Sequence, residues 1–226
     1  MTLPDIESLS FEPRLGLLID REMTERENRR LQSRLRQARL KHHAGIEAID
    51  YQSPRGLDKA LMLQLSACQW IQESLNLILN GPTGVGKTWL AWALGHKACR
   101  QGYSAQYLRA PRRFAELGLA HGDGRFPKLM KAFAKTDLIL LEDGGLAKLT
   151  AEQRRDLFEL LDDRHGVRST LITSQLAVDH GHDVIGDPTL ADAILDRLVH
   201  NAYRINLKGD SMRKRPATLT DSARSM

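Results

Sequence analysis

The octapeptide Gly81-Pro82-Thr83-Gly84-Val85-Gly86-Lys87-Thr88 constrains this chain more than any other stretch. It has the pattern G-x-x-x-x-G-K-[ST], follows directly on the apolar run 75–80 (LNLILN), and leads into a helix-forming segment. A loop of this kind curls so that successive backbone N–H groups surround an anion, and glycine permits the dihedrals the curl needs. A helix opening at Lys87 aims its N-terminal dipole at the same point. The pattern therefore demands a strand, a tight turn and a helix, and predicts a nucleoside triphosphate as ligand. Lys87 reaches the β- and γ-phosphates, Thr88 ligates Mg²⁺, and the loop from Gly81 to Val85 and Gly86 supplies backbone donors.

The rest of the chain has the rhythm such a unit requires. Short apolar runs at 75–80, 105–110, 137–142, 169–174 and 203–207 alternate with helix-length segments. One of these, 150–165, opens on Thr150 with Gln153 three residues on, a capping-box signal. Alternation of this kind predicts an α/β fold, a parallel sheet covered on both faces. Residues 10–50 read as helical. At 226 residues, 42% hydrophobic and 27% charged, the chain is long and apolar enough for a real core, which excludes wholesale disorder. The longest apolar stretch, Trp89 to Gly95, is far short of the roughly 18 residues a membrane span needs. The N-terminal decapeptide has no signal-peptide pattern, and Cys68 and Cys99 have no ligand spacing. A cytoplasmic protein without a membrane partner is expected.

Nucleotide binding alone does not imply hydrolysis; a second run adds the chemistry. Leu138 to Leu141 ends in Glu142-Asp143, one carboxylate for the Mg²⁺ shell and one to polarise an attacking water. The run 169–174 ends in Thr173-Ser174-Gln175, polar groups within a strand's width of a γ-phosphate. Arg197 closes a helical segment and Arg213 follows the last apolar run; either guanidinium suits the charge of a transferring phosphoryl group.

The net charge of +5 is uneven. Residues 61–200 are neutral, whereas Arg29, Arg30, Arg34, Arg36, Arg39 and Lys41 form a run with no acidic residue. Leu31, Leu35 and Ala38 make one apolar stripe within it, so this helix can bury a face and still present cations to a phosphate backbone. A second basic tract includes Arg109, Arg112, Arg113, Arg125, Lys128, Lys131 and Lys135. Aromatic content is 5% and the run 29–41 contains no aromatic, which favours backbone contact with duplex DNA over stacking on single strands.

These residues resemble a known family. GPTGVGKT, LILLEDGG, TLITSQL, GDPTLADAILDRLVHNAYRINLKGDSMRK, IDYQSPRGLDK and RENRRLQSRLRQARL are similar to IstB-like transposition helper ATPases, related to the DnaC helicase loaders within the AAA+ superfamily. The resemblance implies a five-stranded parallel sheet of order 5-1-4-3-2, flanked by helices, preceded by a helical N-terminal region and without a C-terminal helical lid. It implies a DNA-binding region at 1–52, an ATPase domain at 53–216 and a tail at 217–226. It also implies ATP and Mg²⁺ as cofactors, a ring or helical homo-oligomer on duplex DNA, and a transposase as partner. Lys87 and Thr88 match the Walker A ligands, and Glu142 and Asp143 the Walker B pair. Ser174 or Thr173 matches sensor 1, Arg197 the arginine finger and Arg213 sensor 2. In an oligomeric ring the second basic tract resembles the part that faces the central channel. The chain departs from the pattern at Glu142-Asp143, where the superfamily usually has Asp-Glu, so slow hydrolysis is expected, and the resemblance implies that DNA stimulates it. A helicase loader, a small-molecule kinase and a non-hydrolysing nucleotide-gated DNA scaffold are the competing readings.

Overall fold

The computed structural model describes residues 9–41, 44–142, 149–175 and 181–212. Before the sheet come α1 (Phe11–Ala38), a 3-10 turn (Ile46–Ala48), α2 (Lys59–Ser66) and α3 (Gln69–Gln72). The five apolar runs then form β1 (Asn76–Asn80), β2 (Ala105–Arg109), β3 (Leu138–Glu142), β4 (Ser169–Ser174) and β5 (Ala202–Asn206). Helix α4 (Lys87–Arg100) joins β1 to β2; α5 (Ala110–Asp123) and α6 (Phe126–Lys135) join β2 to β3. Helix α7 (Ala151–Asp162) precedes β4, and α8 (Gly181–Ile185) and α9 (Pro188–Val199) precede β5.

All pairings are parallel and the order is β2-β3-β4-β1-β5, the order expected. Strand alternation sends successive side chains to opposite faces. Leu77, Leu79, Leu138, Leu140 and Leu171 pack against Leu90, Ala93, Leu94 and Ala98 of α4. Ile139, Leu141 and Ile172 pack on the other face, against Phe114, Leu117, Leu157, Leu160 and Ile194. The interior strand β1 is buried along its whole length, as a parallel strand covered on both sides must be. Helix α7 begins at Thr150 with the full capping box: Gln153 N donates to Thr150 Oγ1 and Thr150 N to Gln153 Oε1.

The N-terminal helix is shorter than the 10–50 expected. It stops at Ala38 because Arg39 takes the left-handed conformation (φ 54°) and turns the chain. The turn lets Ala44 and Ile49 join Ala38 in the α4-side core, with Leu31, Leu35 and Leu40 packed against it. A straight helix would carry these residues away from that core. Residues 11–30 of α1 are exposed throughout, Phe11 among them. The N-terminal ends of β3 and β4 are tied by Arg164, which is 1% exposed. Its guanidinium donates to the carbonyls of Phe133 (2.6 Å), Thr136 (2.7 Å), Asp137 (3.4 Å) and Ser169 and to Thr170 Oγ1 (3.1 Å).

Candidate nucleotide and metal site

The phosphate loop leaves the C-terminal end of β1 and turns through three glycines at positive φ: Gly81 (147°), Gly84 (89°) and Gly86 (95°). These positions also lack room. A Cβ on Gly84 would collide with Ser211 Oγ, and one on Gly86 with Arg55 Nη1 (2.6 Å). The loop is held from outside by two segments. Met212 N donates to Gly84 O (3.0 Å). Buried Arg55 donates through Nη1 to Val85 O (3.0 Å) and through Nη2 to Asp50 O (2.8 Å). Arg55 lies in the stretch IDYQSPRGLDK, to which the sequence assigned no role; the structure shows it bracing the loop.

Helix α4 starts at Lys87, with Gly86 as N-cap and no side-chain cap. Its first-turn N–H groups and its dipole therefore face the loop interior, an arrangement made for an anion. Lys87 Nζ reaches back over the loop to Gly81 O (2.6 Å) and Pro82 O (2.9 Å). One residue on, Thr88 Oγ1 donates to Glu142 Oε1 at the end of β3. The other carboxylate oxygen, Oε2, accepts from the hydroxyl of Tyr107 on β2. The Tyr107 ring is buried and stands edge-on to Trp92 of α4, with centroids 5.8 Å apart and planes at 70°. A hydroxyl and a carboxylate are hard oxygen donors of the kind Mg²⁺ takes, so Thr88 and Glu142 fit that ion.

Strand β4 lies beside β1 and brings polar ends to the loop. Gly81 N donates to Ser174 O (3.2 Å), and Thr83 Oγ1 donates to Gln175 Oε1 (2.7 Å). Ser174 pairs in register with Asn80, whereas Thr173 pairs with Leu79 and is buried. Asn80 is itself buried, and among the described residues its Oδ1 has no hydrogen-bond partner. Asp143 and Arg213, expected as water-polarising base and sensor 2, lie outside the described residues.

Arg197 is not with the others. Its carbonyl accepts from Asn76 Nδ2 (2.9 Å), which puts it at the N-terminal end of β1. The loop leaves the opposite end, four residues or about 13 Å away at a strand's rise. The side chain turns to α7: Nε pairs with Asp162 Oδ1 (2.6 Å) and the guanidinium lies 4.7 Å from the Phe158 ring centre.

The two basic tracts are redistributed. Arg34 is half-buried and donates to Cys99 O (3.0 Å) at the end of α4, a structural contact in place of the exposed cation expected. Arg113 is held by Glu116 (2.6 Å) and lies 5.3 Å from the Phe133 ring centre. Burial lowers the Arg113 pKa from its ordinary value, Glu116 opposes this, and Arg39 and Arg112 lower it further. Helix α1 packs against β2, the strand that runs directly into α5, and this brings Arg39 within electrostatic reach of Arg113. Arg29 pairs with Glu22 (3.3 Å), whereas Arg30, Arg36, Arg39, Lys41 and Arg112 are exposed. Lys128 and Lys131 are exposed on α6, which packs on the other face of the sheet.

The chain matches known proteins along most of its length. The family model described as IstB-like ATP binding protein matches residues 2–220. An insertion sequence ATP-binding protein of Sinorhizobium fredii is 54% identical over 208 residues, covering 92% of this chain and 85% of that protein. The insertion sequence IS1162 ATP-binding protein of Pseudomonas fluorescens is 52% identical over 181 residues, 80% of this chain and 78% of that one. Among solved structures, the DnaC helicase loader superposes with a TM-score of 0.62 at 19% identity, over 73% of this chain and 97% of that one. DnaA from Aquifex aeolicus bound to AMPPCP gives 0.63 at 17% identity, over 77% of this chain and 53% of that one. Likeness at this identity shows a shared fold.

Proposed function

The chain belongs to the IstB-like ATP binding proteins, and from that membership we propose an ATPase that assembles on duplex DNA and assists the transposase of an insertion sequence. The observation that carries the reading is the meeting of Lys87, Thr88 and Glu142 at the uncapped start of α4. The loop N–H groups and Lys87 bind and orient the triphosphate; Thr88 and Glu142 would hold Mg²⁺. Bound there, Mg²⁺ would neutralise charge on the phosphate oxygens. Ser174 stands at the end of β4 to orient a γ-phosphate or water, and Asp143 takes the proton of the attacking water. Arg197, on the far side of its own sheet, serves the site of a neighbouring subunit, which makes the homo-oligomer part of the mechanism.

DNA lies against the junction of the two basic tracts, where Arg36, Arg39, Lys41 and Arg112 are exposed. Contacts of this type follow the phosphate backbone and read little sequence. The test measures ATP turnover with no DNA, duplex DNA and single-stranded DNA, alongside Lys87→Ala. Turnover raised by duplex and abolished in the variant is expected. Stimulation by single strands alone would favour a helicase loader, and indifference to DNA would overturn the DNA-coupled reading.

A further inference from the structure

Glu142 is one methylene longer than the aspartate usual at the metal-side position of AAA+ proteins. That adds about 1.5 Å of reach and one more freely turning bond. A carboxylate on so mobile a stem presents an oxygen to a metal only when something fixes its far side. In this structure both oxygens are engaged, Oε1 by Thr88 and Oε2 by Tyr107. Tyr107 comes from β2, paired with β3 in a register that sets Tyr107 opposite Leu140 and Arg109 opposite Glu142. Its ring is immobilised against Trp92, a residue of the same helix that carries Thr88.

We propose that Tyr107 is a positioning residue for the metal-side carboxylate: its hydroxyl fixes Glu142 Oε2 so that Oε1 faces the nucleotide's Mg²⁺ beside Thr88. The proposal rests on the Mg²⁺-nucleotide reading of the site. A phenol suits the task because it is a neutral donor. It fixes the carboxylate through a charge-assisted hydrogen bond and leaves the full negative charge for the cation. An arginine or lysine in its place would hold Glu142 as firmly but would cancel that charge. The longer carboxylate and the tyrosine form a matched pair. An aspartate at 142 would fall short of Tyr107 if it stayed with Thr88.

The test uses Tyr107→Phe, which keeps the ring against Trp92 and removes only the hydroxyl. Two quantities are measured on full-length protein: affinity for a fluorescent ATP analogue without divalent metal, and affinity of the protein–ADP complex for Mn²⁺ by electron paramagnetic resonance. Metal-free nucleotide affinity should match wild type, which also shows that the variant is folded. Mn²⁺ affinity should fall 10- to 100-fold, the usual effect of losing a partner behind a metal ligand. In a Glu142→Asp background, adding Tyr107→Phe should change Mn²⁺ affinity no further. Wild-type Mn²⁺ affinity in Tyr107→Phe would overturn the proposal and leave the metal site standing. So would an equal loss in both backgrounds, which marks a merely structural hydroxyl. A wild-type protein whose ADP complex holds no Mn²⁺ would overturn the metal reading itself.

Discussion

The two ends of β1 carry different halves of the expected chemistry. At the Asn80 end, the loop, Lys87, Thr88 and Glu142 converge within one chain, braced by Arg55 and Tyr107. At the Asn76 end, Arg197 is paired with Asp162 and stacked near Phe158, facing away from its own loop. The difference follows from parallel topology. Every strand delivers its C-terminal residues to one edge of the sheet, and helices return the chain to the other. A residue at the end of α9 is thereby kept from its own phosphate, and in the proposed function a second copy would bring it to one.

The most severe break of this contrast is Lys87→Ala, which removes the cation at the loop and should abolish measurable nucleotide binding in a fluorescence titration. Arg197→Ala should bind ATP nearly as wild type yet lose about 10³-fold or more in turnover, by the usual weight of an arginine finger. Mixing Lys87→Ala with Arg197→Ala sharpens the point. Each supplies the half the other lacks, so part of the DNA-stimulated turnover should return. No recovery at any ratio, with oligomers present, would falsify a shared site.

A milder effect is expected where the basic tracts meet. Replacing Arg36, Arg39 and Arg112 with Ala should weaken duplex binding and flatten its log–log salt dependence by about 0.9 for each phosphate no longer neutralised. Replacing Arg34 should instead lower the melting temperature, because its guanidinium is tied to Cys99 O, and leave the salt slope unchanged. Any slope change in that variant would return Arg34 to the DNA surface.

The smallest effect concerns the cysteines. Burial pushes both the Cys68 and Cys99 thiols up to about 11. Iodoacetamide at about pH 8.5 should label neither until the chain is unfolded, since the thiolate is the reactive form. The folded protein keeps these protons between about pH 9 and pH 11, where the unfolded chain gives them up, so stability should fall across that window.

What the sequence determined by itself is local. Glycines with a lysine and a threonine, the Thr150–Gln153 cap and the alternating apolar runs are short-range patterns, and each dictates its turn, helix or strand within a few residues. The α/β class followed from that alternation, the strand order came with the resemblance those motifs carry, and the observed sheet agrees with both. What only the tertiary structure decided are contacts across long stretches of chain: Tyr107 with Glu142 at a separation of 35, Arg55 with Val85 at 30, Arg34 with Cys99 at 65 and Arg197 with Asp162 at 35. A tyrosine in an apolar run or an arginine in a basic run looks the same in sequence whether it faces solvent or a carboxylate. The packing of each strand and helix against its neighbours makes the choice, because a guanidinium or hydroxyl taken from water must find a partner where the fold puts one.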